Sequence, residues 1–252
     1  MKLLGVVLGA LLYLSCGSAQ AQVVLDAVIS APATGSSIAT LSTTNLTVGS
    51  GTNRALVVEL LFEATTAPTS ITVTWDSGGT NQALTQIATK VDVSTTLTAQ
   101  LWGLVAPTSG AKTLKASWTN SAAAAMGAVS WTGVNQTGGA TSFPNSTNAN
   151  GSTSPATVAV TSVTNDAVMD AVAVAAGGTI TAGNQTQVFK SALTALNAAG
   201  QRAAGAASVT MSWTLSTGLS WAIVGTDIAA AASSGGGAAS TCAPRALLGV
   251  GC

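Results

Sequence analysis

The sequence predicts an all-β fold, a single large antiparallel β-sandwich of the jelly-roll-like kind, and three observations support this prediction. Runs rich in Val, Ile, Leu, Thr and Trp recur from residue 23 onward, and Gly, Pro, Asn and Ser clusters interrupt them about every 8 to 14 residues. Charged residues make up only 6% of the chain, so hydroxyl and amide groups must cover most of its surface. In the segment 71–75, Ile71, Val73 and Trp75 share one face, as a half-buried strand requires.

Residues 1–21 are predicted to be a secretory signal peptide. Lys2 supplies its positive charge, residues 3–14 supply its apolar stretch, and Ala19-Gln20-Ala21 is a small-x-small cleavage site. The alternatives are a lipid anchor at Cys16 and an uncleaved apolar segment packed in an assembly. Export predicts a secreted or cell-surface protein. No later stretch approaches the roughly 20 apolar residues that span a bilayer, so we expect no membrane span.

The sandwich domain is predicted at 22–232. The alanine-rich segment 122–128 runs directly into Val129-Ser130-Trp131, which favours strand, whereas 192–207 allows either a short helix or a loop. The candidate strands, in chain order, are 23–30, 38–48, 54–63, 70–75, 83–91, 97–105, 112–118, 124–132, 156–163, 167–175, 185–190, 208–214 and 219–228.

An internal repeat divides this domain into two related halves, at 54–134 and 166–228. Two pairs of segments match in the same order. The economical interpretation is that each half contributes strands to one sandwich. The matching pairs are 52–57 (TNRALV) with 164–169 (TNDAVM), and 114–121 (LKASWTNS) with 209–216 (VTMSWTLS).

Two segments lie outside the predicted strands. Residues 135–155 are rich in Asn, Gly, Ser and Thr, which predicts a long surface loop or linker between the halves. Residues 233–252 begin with a Ser/Gly stretch and form a tail. If Cys16 leaves with the signal, the tail holds both remaining cysteines, and we expect Cys242 and Cys252 to close a small disulfide loop. The alternative is two free thiols.

The charge balance and the lack of histidine argue against several classes of function. Lys plus Arg and Asp plus Glu each number 8, so the chain has no basic excess that would bind nucleic acid or anionic lipid. The chain contains no histidine, which removes the usual base of nucleophilic catalysis and a common zinc ligand. We therefore expect a non-enzymatic protein without catalytic residues or a cofactor.

Paired carboxylates are the remaining route to catalysis. Glu59 and Glu63 are spaced to share one face of a predicted strand, and Asp166 and Asp170 share a face of another. Some glycosidases build a cleft from such acids, so a glycoside hydrolase is a lesser alternative. The simpler interpretation is a solvated outer face on each strand.

Two local features suggest ligands. Asp76 and Asn81 bound an acidic, Gly-rich turn that could bind calcium, although its simpler role is a hairpin turn. Most of the six tryptophans lie in apolar runs and are predicted to be core. Trp102 precedes the loop 106–110 and is the best candidate for a ring that stacks on a sugar in a carbohydrate groove.

Three segments resemble a widespread set of uncharacterised secreted and phage-encoded β-sandwich proteins. They are 54–58 (RALVV), 101–107 (LWGLVAP) with Gly110, and 129–136 (VSWTGVNQ), and the likeness covers roughly residues 54–228. The shared residues are framework positions, so the resemblance implies the fold and no catalytic residues. The chain departs from that set in its high alanine content and its cysteine-bracketed tail.

The sequence thus predicts an exported, non-enzymatic structural or adhesive module of a bacterial or virion surface. Its low charge and mean hydropathy of +0.49 suit a subunit whose faces are covered by neighbours, so a homo-oligomer or filament is one hypothesis. A carbohydrate-binding module that recognises surface glycans is the main alternative. Both remain open at the level of sequence.

Overall fold

Antiparallel strands dominate the computed structural model, which describes residues 21–92 and 96–232. This confirms the predicted all-β sandwich class. Within those residues the only helix is the single turn α1 (Gly139–Ser142), and no helix is long and apolar enough to cross a membrane. The strands are β1 (Val24–Val28), β2 (Ala33–Thr43), β3 (Thr47–Val48), β4 (Ala55–Glu63), β5 (Thr69–Trp75), β6 (Gln82–Ala83), β7 (Thr85–Asp92), β8 (Leu97–Val105), β9 (Gly110–Ala111), β10 (Leu114–Thr132), β11 (Thr147–Gly151), β12 (Ala156–Val160), β13 (Ala167–Ala175), β14 (Ile180–Gly183), β15 (Thr186–Ala192), β16 (Leu196–Ala204), β17 (Val209–Leu215) and β18 (Trp221–Ile228).

The first half of the domain consists of two layers that share the long strand β10. One layer has the order β1-β10-β4-β8-β7, and the other has the order β2-β10-β5-β6. β2 accompanies β10 into the first layer, where its residues 33–38 pair with 122–126. β10 pairs with β5 as far as Thr119 and with β4 from Ala123 onward, so it passes between the layers there. Its alanine-rich stretch is strand because strands on both sides pair with it, which overrides the helical propensity of alanine.

The second half repeats this arrangement with shorter strands. Its layers have the orders β11-β18-β13-β16-β15 and β12-β17-β14. β17 and β18 take the places of the two ends of β10, and β13, β16 and β15 take those of β4, β8 and β7. The registers agree, because Ala55 and Ala167 begin the equivalent strands and each pairs with both of its neighbouring strands.

A repeated irregularity supports the same correspondence. The edge strands β7 and β15 both contain Thr-Gln followed by an aliphatic residue, at 85–87 and 186–188. In both strands the register with the neighbouring strand shifts directly after the glutamine. Ile87 and Val188 are therefore the extra residues of two equivalent β-bulges.

Three apolar cores separate the four layers. One lies within the first half around Phe62 and Trp75, and one lies within the second half around Trp213. The third lies between the two five-stranded layers and contains residues of both halves, such as Val57 and Met169. Because both faces of these layers are covered, β4 and β13 are buried along almost their whole length.

Three contacts between the halves have exchanged counterparts. β8 packs on β13, and its equivalent β16 packs on β4. β8 also packs on β18, as β16 packs on β10. The edge strand β7 packs on β18, as its equivalent β15 packs on β10. Each pair interchanges equivalent strands. The two halves are therefore related by an approximate twofold axis that passes between β4 and β13.

Several segments differ from the sequence prediction. β9 and β14 lie outside the candidate strands, and the candidates 112–118 and 124–132 are joined in the single strand β10. Two further segments, expected to be loop or helix, also contain strands. The predicted loop 135–155 contains α1 and β11, and β11 pairs with β18 as an edge of the second five-stranded layer. The segment 192–207, for which helix or loop was expected, contains β16. β16 lies between β13 and β15, so pairing on both sides makes it a strand despite its alanines.

Candidate functional site

Glu59 is a fully buried acid in the interface between the halves. Its carboxyl group occupies the space that a side chain on Gly127 or on Gly200 would take. Gly200 belongs to the second half, so the two halves meet around this group. Both Glu59 oxygens lack a hydrogen-bond partner within the described part of the chain. Burial raises the pKa of Glu59 well above its ordinary value, and the charge of Asp170 raises it further.

Asp170 is a second fully buried acid, on β13, and it faces the core of the second half. Its Oδ2 accepts hydrogen bonds from Trp213 Nε1 and Gln201 Nε2, each at 3.0 Å. Its Oδ1 accepts one from the backbone N–H of Gln201 at 3.1 Å. Burial raises the pKa of Asp170 to about 7, although these hydrogen bonds act in the opposite direction. Asp170 therefore holds β16 and β17 to β13 through satisfied oxygens.

These two acids are closed off from solvent, so they offer no cleft to a substrate. The solvated outer face that the sequence suggested is wrong for both, because layers cover both faces of β4 and β13. The single acid within a continuous apolar run, Ala55 to Phe62 around Glu59, is the sequence signal for this burial.

Asp166 lies beside Asp227 of β18. Asp166 Oδ1 accepts a hydrogen bond from the Ala230 amide, and Asp227 Oδ1 accepts one from Ser162 Oγ, both at 2.7 Å. The pKa of Asp227 is raised to about 6. Burial is the main cause, the Ser162 hydrogen bond opposes the shift, and the nearby Asp166 adds to it. The structure therefore brings Asp166 together with an acid that the sequence did not pair with it.

A cavity of about 710 Å³ lies where the halves meet, beside the end of β4 and the start of β16. Six residues with hydroxyl side chains line it, together with Glu63 and four alanines. No local motif predicts it, because its residues come from separate segments of both halves. The hydroxyl residues are Ser36, Ser37, Thr65, Thr96, Ser121 and Thr194, and the alanines are Ala64, Ala122, Ala123 and Ala195.

Glu63 is the acid of this cavity. The backbone N–H of Ala176, in the second half, donates a hydrogen bond to its carboxylate. Its Oε2 has no partner among the residues that the structure describes. Burial raises the pKa of Glu63, and the Ala176 hydrogen bond opposes that shift. Glu63 therefore gives the lining an acidic group, while Oε2 itself is withdrawn from solvent.

Trp102 lies in the core of the first half. It is 7% exposed, and its Nε1 donates a hydrogen bond to Gln100 Oε1 at 2.9 Å. All six tryptophans are buried. Stacking on a sugar needs an exposed ring face, so the burial of Trp102 corrects the groove proposed from the sequence.

Asp76 and Asn81 form the turn between β5 and β6. Asp76 Oδ2 accepts hydrogen bonds from the Thr80 amide at 3.0 Å and the Thr80 hydroxyl at 2.9 Å, and Lys112 Nζ lies 3.6 Å from Oδ1. The Thr80 hydrogen bonds lower the pKa of Asp76. Asn81 Oδ1 accepts a hydrogen bond from the Gly78 amide at 2.9 Å. Within the described residues, no three acidic, cysteine or histidine side chains cluster as a metal site requires.

The predicted disulfide between Cys242 and Cys252 lies outside the described residues, as does the signal segment apart from Ala21. Both stay predictions. Comparison of the chain with protein-family models, with curated proteins and with solved structures found no match. Function is therefore inferred from the geometry alone.

Proposed function

We propose that the protein is an exported, non-enzymatic adhesive module of a bacterial or virion surface that acts as a monomer. The form of its edge strands is the observation that supports this most directly. β7 and β15 each combine a β-bulge with a lysine, Lys90 and Lys190, and the register of β1 is also irregular, between Leu25 and Ala27. Bulges and lysines keep an edge strand from pairing with another copy.

Edge protection favours adhesion over the structural alternative. A filament that grows by strand addition needs open, flat edges, and those described above are interrupted. Self-assembly into a filament, which the low charge suggested, therefore has less support than a module that folds and acts alone.

The surface chemistry suits attachment to a hydrated polymer. The outer layers expose hydroxyl groups, with Thr69 and Thr72 on β5 and Thr210 and Thr214 on β17. Each hydroxyl donates and accepts hydrogen bonds, as the groups of a polysaccharide do. With charged residues at 6% of the chain, attachment should depend little on salt.

Adhesion is tested with beads that carry the full exported chain. Retention is measured on bacterial envelopes and on purified polysaccharides at low and high salt, with uncoated beads as the control. Light scattering after size-exclusion chromatography gives the oligomeric state. We expect salt-resistant retention and a monomer at every concentration. Mass that rises with concentration would support the structural subunit instead, and lack of retention on every surface would refute adhesion.

A further inference from the structure

We infer that the cavity between the ends of β4 and β16 is a binding site for an uncharged saccharide, held by Glu63 and the surrounding hydroxyl groups. This site rests on the proposed adhesive function, for which it would supply the point of attachment. None of its residues was singled out from the sequence as a ligand contact except Glu63, which was considered there only as a partner of Glu59.

The size and lining of the cavity suit a sugar. Its volume of about 710 Å³ falls within the range of about 300–1,000 Å³ that is usual for small-molecule sites. Its serine and threonine hydroxyls can each donate and accept, which matches the hydroxyl groups of a saccharide. The methyl groups of Ala64, Ala123 and Ala195 offer small apolar surfaces for the C–H faces of a sugar ring.

Glu63 supplies the strongest acceptor. Glu63 lies in the lining, and the Ala176 N–H holds its carboxylate. Its Oε2 is withdrawn from solvent, so a ligand would meet the remaining part of the carboxylate. A hydrogen bond from a ligand hydroxyl to an ionised carboxylate is stronger than one to a neutral group. Because the carboxylate is already held, little conformational freedom is lost when a ligand binds.

The charge of the lining selects among saccharides. Glu63 is acidic, and among the described residues no lysine or arginine lines the cavity. A uronic acid or a sialylated glycan would therefore meet a negative charge without a compensating cation. Neutral saccharides avoid this repulsion, so we expect selectivity for them.

The ligand is tested by nuclear magnetic resonance on the full chain labelled with ¹⁵N. Maltose, cellobiose and lactose serve as neutral probes, and glucuronic acid serves as the anionic probe. We expect at least one neutral probe to shift the amide signals of residues 63–65, 121–123 and 194–195 in a saturable way, and glucuronic acid to leave them unchanged. No tryptophan lines the cavity, so tryptophan fluorescence should stay constant. Shifts from no neutral probe, or from glucuronic acid alone, would overturn the inference.

Variants locate the site. Ser121 is an exposed residue of the lining, and Ser121→Trp should obstruct the cavity and abolish the shifts. Ser208→Trp makes the same change at an exposed serine outside the lining and should bind like the wild type. Glu63→Gln keeps the acceptor for Ala176 and removes the charge, and should weaken binding by about tenfold or more.

The two proposals fail separately. Unchanged binding by Ser121→Trp would overturn the cavity as the site. If beads carrying Ser121→Trp still adhere to envelopes while saccharide binding is lost, the adhesive function survives and acts through another surface. If saccharides bind in the cavity but beads do not adhere, the cavity stands and adhesion fails.

Discussion

Glu59 and Gly200 fit one another across the interface between the two halves: the Glu59 carboxyl group fills the space that a Cβ on Gly200 would occupy. The equivalent positions carry the reverse arrangement. Glu59 pairs with Leu101 in its own sheet, and Ala171 pairs with Gly200 in the other. The approximate twofold axis therefore relates Glu59 to Ala171 and Gly200 to Leu101. The pair of Glu59 and Gly200 on one side of the axis corresponds to the pair of Ala171 and Leu101 on the other.

This relationship predicts a compensating double substitution. Gly200→Leu alone should destabilise the protein by about 1–3 kcal/mol or more, because the new side chain overlaps Glu59. Glu59→Ala combined with Gly200→Leu reproduces the Ala171 and Leu101 pair and should recover most of that loss at neutral pH. Urea unfolding of both single variants and the double variant measures the coupling. Strictly additive effects would show that the two residues do not share this space.

The buried acids predict that stability falls as pH rises. An acid whose pKa is raised by folding keeps its proton longer in the folded than in the unfolded state. Its contribution is full below the ordinary pKa, 4.5 for Glu59, and is lost as pH rises toward the folded-state value. Asp170, raised from 3.8 to about 7, acts in the same direction. We expect the free energy of unfolding to decrease between about pH 4 and pH 8.

Glu59→Gln should flatten this dependence. The variant removes one titrating group, so its free energy of unfolding should decrease less over that range than that of the wild type. The difference should be at least about 1 kcal/mol, because one pKa unit corresponds to about 1.4 kcal/mol. Urea unfolding followed by tryptophan fluorescence at a series of pH values gives both slopes. Parallel curves for variant and wild type would show that Glu59 does not titrate differently in the folded state.

The hydrogen bond from Trp213 to Asp170 predicts unequal effects at two equivalent tryptophans. Trp213→Phe leaves a buried carboxyl oxygen with one donor fewer and should cost about 1–3 kcal/mol. Trp118 occupies the equivalent place in the first half, and its Nε1 donates to the partly exposed carbonyl of Ile38 at 3.1 Å. Trp118→Phe is the matched control and should cost less. An equal or larger loss at Trp118 would contradict the importance of the Asp170 contact.

The edge lysines predict how the monomer is maintained. Replacing Lys90 and Lys190 by valine removes the charges from two edge strands of high β-propensity. Light scattering at increasing concentration should then show association, whereas the same lysines replaced by arginine should leave the chain monomeric. A monomeric valine variant would mean that the bulges suffice.

The fold follows from the sequence where local pattern and tertiary setting agree. The alternation of Ile71, Val73 and Trp75 gives β5 directly, and Trp75 is buried as expected. β16 escapes prediction because its alanines carry no strand preference and its conformation comes from pairing with β13 and β15. The repeat at 85–87 and 186–188 is too short to stand out in a threonine-rich chain, and only the shared bulge reveals it.

The sites were harder to predict for the same reason. The spacing of the acids places Glu59 and Asp170 on solvated faces, but both are buried because a second layer covers each face. The position of Trp102 before a loop suggests an exposed ring, yet the indole turns into the core and its Nε1 donates a hydrogen bond to Gln100. Glu63 of the first half and Thr194 of the second half both line the cavity. They lie there because one half packs on the other, which no local sequence pattern predicts.

The axis between β4 and β13 also affects how the interface can vary. In a dimer of identical subunits, every substitution at an isologous contact is made on both sides at once. Here different stretches of one polypeptide encode the two sides, so Glu59 can face Gly200 while Ala171 stands at the mirrored place. Because the two halves belong to one polypeptide, the interface can contain one buried ionisable group. In a homodimer the same substitution would place two such groups there.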